Sequence, residues 1–93
     1  MDYNPKDEAF DEIVICKDIL NDIENISENV HNAWAREKFS NGWKYGDTVN
    51  TVLKTHPSLI PYEKLSEEQK ELDRTTSKQV IKSLIKLGYK ISR

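Results

Sequence analysis

Two apolar stripes, each closing on a glycine, constrain this chain more than any other feature. From Ile19 the apolar residues fall at Ile19, Ile23, Ile26, Val30 and Ala33, spaced four, three, four, three. Leu20 and Trp34 widen the stripe, which is one face of an amphipathic helix. The spacing predicts a helix over about 18–41, with Asp18 as its cap and Gly42 just past its end. Ser27 and Asn29 offer a place for a restart that would divide it. The second stripe runs through Leu72, Thr76, Val80, Leu84 and Leu87, widened by Ile81 and Ile85. "SEEQ" at 66–69 precedes it as a capping box, Ser66 capping and Gln69 reaching back. Gly88 follows, so the second helix is expected over 66–87. Polar "DRTTSK" at 73–78 invites a bend, and "YKI" after Gly88 could leave as a short strand.

The expected fold class is therefore mainly α. Two principal helices pack across one apolar seam, joined by an irregular middle segment with small strand pieces. Ile23, Ile26, Val30, Leu72, Val80, Leu84 and Trp43 are the candidate core. Residues 43–65 carry Pro57 and Pro61, each of which pushes its predecessor out of helical space. So long a stretch must be pinned by its own apolar residues: Val52, Leu53, Leu59, Ile60, Tyr62 and Leu65. Residues 1–10 read as an N-terminal arm that only Phe10 could anchor, and 11–93 as a single domain. "DEIVIC" between them suits an extended segment, with Cys16 a small buried hydrophobe.

Composition narrows the function. Sixteen acids against fourteen bases leave a net charge of −2 with no basic field, which argues against a nucleic-acid polymer as partner. One cysteine precludes an internal disulfide and fits a reducing compartment, so a cytoplasmic location is expected. The longest apolar run, "IVIC", is far too short to span a membrane. No nucleophile–base pairing, metal-ligand spacing or glycine-rich phosphate loop appears. The chain is expected not to be an enzyme and to need no cofactor or metal. His56, next to Pro57, reads as a structural hydrogen-bonder.

"ENVHNAWAREKFSNGWKYG" is different in kind, holding both tryptophans, one of two histidines and two of three glycines. On a helix, Ser27, His31, Trp34 and Lys38 are spaced four, three, four, a second stripe beside the apolar one. Hydroxyl, imidazole, indole and ammonium groups then share one rim. A planar aromatic ligand with an anionic tail suits such a rim, the ring stacking on Trp34 and the charge meeting Lys38. Large aromatics at helical spacing usually pack, so the residues by themselves favour Trp34 as core, with His31 and Lys38 framing it. Trp43 and Tyr45 read as anchors that fold the following turn back.

"ENVHNAWA", "GWKYG", "THPSLIPYEKL" and "DRTTSKQVIKSLIKLGYKI" occur in that order and resemble the repeat found in the cytosolic part of ryanodine receptors, over about residues 4–92. As a single copy, the chain is similar to the free-standing type found in bacteria and phages. The resemblance implies a mainly helical fold with small strand pieces. Because the receptor repeats come in pairs about a pseudo-twofold axis, it also implies a homodimer. A paired receptor module can hold an adenine-type nucleotide between helix tryptophans, and the matching position is Trp34. His31 matches the same block, whereas Lys38 and Ser27 rest on the stripe alone. Two functions follow as expectations: a module sensing a nucleotide or nucleotide-derived small molecule stacked on Trp34 at a twofold interface, or a protein–protein interaction or structural domain with no such ligand.

Overall fold

The computed structural model of the chain describes residues 2–6 and 10–93. Residues 1 and 7–9 of the expected arm lie outside the described residues. A 3-10 turn at Phe10–Glu12 leads into an extended stretch and then three α-helices: α1 (Lys17–Asn21), α2 (Ile23–Ser40) and α3 (Glu67–Lys86). Between α2 and α3 lie two short strands, β1 (Lys44–Tyr45) and β2 (Thr55–His56), and a 3-10 turn at Tyr62–Lys64. The architecture is mainly α with a small two-stranded sheet, as the stripes and glycines require.

Helix α3 follows its sequence signals closely. Ser66 caps it, its hydroxyl accepting the Gln69 N–H at 3.2 Å. Gly88 past its end takes φ +99°, as Gly42 takes +85° past α2, conformations that cost a glycine little. The helix runs without interruption through 73–78, so the expected bend is absent. The expected helix over 18–41 is instead divided at Asp22, neither at Ser27 nor at Asn29. Asn21 and Asp22 are weak helix formers side by side, which makes that point the easiest to break. Asp18 sits inside α1 and Cys16 holds the cap position without a side-chain bond. The "YKI" segment forms no strand; beyond it Arg93 reaches Asp22 at 3.2 Å.

Two corrections concern burial. Cys16 is exposed, because Val14 and Cys16 alternate outward while Ile15 points in, the two-residue period of extended chain. The apolar stripes do not form the seam either. Leu72 is 66% exposed and Val80 58%, and Val30 and Leu84 also reach solvent. Where α2 crosses α3 the contact is between small polar residues: Ser27 is fully buried, with its hydroxyl 3.5 Å from that of Ser77. Ser77 also donates to the Asp73 carbonyl at 2.8 Å, so neither hydroxyl is orphaned. Helices this close leave no room for a branched side chain between them, and the aliphatic stripes flank the crossing instead. Ile23, Ile26 and Trp43 are half-buried.

Apolar burial comes mostly from the middle segment. Leu59, Tyr62 and Leu65 are buried there, joined by Ile81 of α3 and Ile15 of the lead-in. Three of the six proposed pins are therefore buried, and Ile60 is half-buried. Val52 and Leu53 fail, standing at the tip of a tight turn. Asn50 builds that turn, its Oδ1 accepting the N–H groups of Val52 and Leu53 at 3.0 and 2.9 Å. The chain returns to pair β2 with β1 in parallel, Lys44 opposite Thr55 and Tyr45 opposite His56. Gly46 permits the approach: a Cβ there would lie 2.5 Å from the Thr55 Cβ. Lys54 Nζ donates to the Asn41 carbonyl at 2.9 Å, tying the turn to the C-terminal end of α2, where a positive charge is favoured.

A polar clamp closes the far side. Arg74 donates to Glu24 of α2, to Glu67 at 2.7 Å and to Glu71 at 3.1 Å. The second oxygen of Glu24 accepts the Tyr62 hydroxyl at 3.2 Å. One carboxylate thus binds α2, α3 and the middle segment together. The Arg74 hydrogen bond holds the Glu24 carboxyl below its ordinary value, while burial and then the Glu24 bond push the Tyr62 phenol up. The Phe10 ring lies under the Lys86 ammonium at 4.7 Å, which fastens the chain's start to the end of α3.

Candidate functional site

A groove of about 330 Å³ lies between α2 and the first turns of α3, floored by the segment after β2. Helix α2 contributes Val30, His31 and Trp34, which helical spacing sets on one side. His56 comes from the end of β2, Ser58 and Leu65 from the middle segment that follows it, and the first turns of α3 add Gln69, Leu72 and Asp73. Trp34 is half-buried and lines the groove.

Aromatic rings fix the wall. The His56 ring stands edge-on to Trp34, centroids 5.0 Å apart at 76°. His31 lies 5.7 Å from Trp34 and 6.1 Å from Tyr62. Each imidazole is also held by the backbone. His31 Nε2 lies 2.7 Å from the Ile60 carbonyl, and because a carbonyl only accepts, that nitrogen carries the proton. His56 Nδ1 accepts the Ser58 N–H at 3.0 Å, which leaves Nε2 as the protonated nitrogen of the neutral ring. Burial, and secondly the Lys38 ammonium, holds the His56 pKa below its usual 6.5. The ring is neutral at pH 7 and offers one N–H donor.

The opposite wall sets polar side chains beside Leu72. Gln69 Nε2 donates to the Ser58 hydroxyl at 2.5 Å, so the glutamine reaches across the groove floor and not back to the cap. That bond joins α3 to the residue that orients His56. The amide's carbonyl remains an acceptor, and the Asp73 carboxylate lies beside it in the lining. The groove thus presents acceptors from α3, an N–H donor from His56 of β2, and the His31 and Trp34 rings of α2.

Residues 3–93 match the defining pattern of the RyR domain family. The chain belongs to that family. In this RyR domain, Trp34 and His31 of the sequence-derived stripe line the groove together. Ser27 does not: it is sealed in the helix crossing against Ser77. Lys38 lies outside the lining, its ammonium 4.4 Å over the Trp43 ring, though close enough to act on His56. Trp43 is thereby pinned to the end of α2, while Tyr45 is exposed and its hydroxyl donates to Asp47 at 3.2 Å. His56 is the structural hydrogen-bonder the sequence suggests, and a groove residue besides. Ser58, Gln69 and Asp73 carried no signal of their own; only the fold of the "HPSLIP" segment against the capping box brings them to the site. Among the described residues no cluster of three or more His, Cys, Asp and Glu side chains is placed to hold a metal ion, and no helix is long and apolar enough to cross a membrane.

Proposed function

We propose that this RyR domain is a non-catalytic binding module that takes a planar, nitrogen-containing ring, nucleotide-like in character, against Trp34. The observation that carries the reading is the groove itself: an indole braced by two imidazoles, in a lining that also holds the Asp73 and Gln69 side chains. Its volume is at the low end for small-molecule sites and suits one ring system better than a whole dinucleotide. A ring stacked on Trp34 can give N–H groups to Asp73 and Gln69 and accept from His56 Nε2. An anionic tail is repelled by Asp73 and drawn the other way along α2, toward Lys38. The stripe and the resemblance together favour a nucleotide; the groove's acceptors favour an amino-substituted base.

Stacking one base on an aromatic ring contributes roughly 1–3 kcal/mol. Trp34→Ala should therefore weaken binding by about 5- to 150-fold. The test is a titration of adenine nucleotides followed by tryptophan fluorescence in a Trp43→Phe background, where Trp34 is the sole reporter, and by thermal shift. Ligand-dependent quenching and a raised Tm are expected. No response at millimolar nucleotide, or equal thermal shifts in wild type and Trp34→Ala, would return Trp34 to a packing role.

A further inference from the structure

We propose that one proton on His56 gates the groove: the neutral ring holds it open, and the imidazolium closes it. The gate deepens the reading above, and only its ligand measurement rests on that reading. The two histidines of the groove are wired with opposite polarity. His31 gives an N–H to the Ile60 carbonyl at 2.7 Å, a bond that an imidazolium keeps. His56 instead receives the Ser58 N–H on Nδ1 at 3.0 Å, a bond that needs the lone pair there. Once protonated, Nδ1 points an N–H at an N–H. Turning the ring over brings a C–H to the same place, so no orientation of the imidazolium keeps the bond.

The loss reaches the other wall. Ser58 is buried, so an N–H left there without an acceptor is costly and the segment must shift. Its hydroxyl accepts from Gln69 Nε2, so a shift of Ser58 also loosens the tie to α3. Charge then directs the ring. Lys38 acts on it from α2 and repels the protonated form, whereas the Asp73 carboxylate of α3, in the groove lining, attracts it. Strand β1 sets Tyr45 opposite His56 with Lys44 before it, both exposed, and residues 57–61 carry no charge. The Trp34 ring, 5.0 Å away, draws an imidazolium through its π-face. Both attractions lie inside the groove. The protonated ring therefore moves onto the indole, where a flat ligand would stack, and its charge pairs with Asp73. Burial and the Lys38 ammonium hold the His56 pKa below 6.5, so the groove stands open at pH 7 and closes in mild acid.

Ligand-free NMR of the full chain, from about pH 7.5 to about pH 5, tests the gate by itself. The Ser58 amide and the Gln69 side-chain amide are expected to shift with the midpoint of the His56 ring. Asp73→Asn should lower that midpoint, because the acid form loses its counter-ion. His56→Phe, which keeps a ring and takes no proton, should leave both amide signals without that transition. The ligand measurement uses adenosine, which has no phosphate to titrate. Its affinity for the wild type should fall about tenfold per pH unit below the midpoint, since only the open fraction binds. Amide signals that ignore the His56 midpoint, or an unchanged midpoint in Asp73→Asn, overturn the gate. Adenosine that binds equally well at both ends of the range overturns it too. If adenosine binds at neither end, the proposed function fails, and the ligand-free titration still decides the gate.

Discussion

The two sides of the α2–α3 hairpin are built from opposite materials. On the covered side, Leu59, Tyr62 and Leu65 of the middle segment pack down on the helices, and the Glu24–Arg74–Tyr62 clamp locks the edge. On the open side stand the longest aliphatic stripes in the chain, half of their residues in solvent. The covered side is short of periodic apolar signal and holds the fold together; the open side is rich in that signal and contributes little to it. Periodicity identifies a helix and its apolar face. It does not say which neighbour covers that face.

Paired truncations test the contrast most severely. Leu59→Ala and Leu65→Ala remove buried side chains and should each cost on the order of 2–5 kcal/mol, read from denaturant midpoints at low protein concentration. Val80→Ala under the same conditions should stay within about 0.5 kcal/mol. Equal losses would erase the distinction between the two sides. Enlarging the crossing sharpens it: Ser27→Leu forces a branched side chain against Ser77 and should cost about 1–3 kcal/mol.

A smaller effect reports on the clamp. Glu24 has its pKa lowered in the folded chain, chiefly by Arg74, so its contribution is complete above its ordinary 4.5 and is lost as pH falls through the folded value. Glu24→Gln should flatten the acid limb of a Tm–pH curve while leaving the open side untouched. The smallest effect is spectroscopic. His56 has a lowered folded pKa, so the unfolded chain takes up its proton first and stability declines slightly as pH drops below 6.5. By NMR its imidazole should titrate with a midpoint under 6.5; a midpoint above it would mean that the ring is not desolvated.

The chain's local signals were legible because they act within a few residues. The Ser66 cap, the two terminal glycines and the prolines that keep 57–61 out of helix each determine their own surroundings. What depended on distant contacts was not. Nothing within α2 distinguishes Ser27 as the crossing residue from Val30 as a flanking one; the pairing with Ser77 fifty positions away decides it. The groove divides in the same manner. Trp34 and His31 share a helix and were visible together. Gln69, Ser58 and Asp73 join them only through tertiary packing, while Ser27 and Lys38 were drawn in by a helical stripe that continues past the groove's two ends. Cys16 misled for a local reason: an apolar run in extended chain buries every second residue, and Ile15 took the inward place.

Gly46 lies outside the groove lining, yet a methyl group there would collide with Thr55. The collision would prise β2 from β1, and His56 is the last residue of β2. For anyone randomising this scaffold to accept new ligands, the tempting surface loop at 46–54 is therefore not a neutral place to begin. A library that varies position 46 would mostly sample displaced imidazoles. Its failures would be scored as poor recognition chemistry when the cause is a strand that could no longer dock.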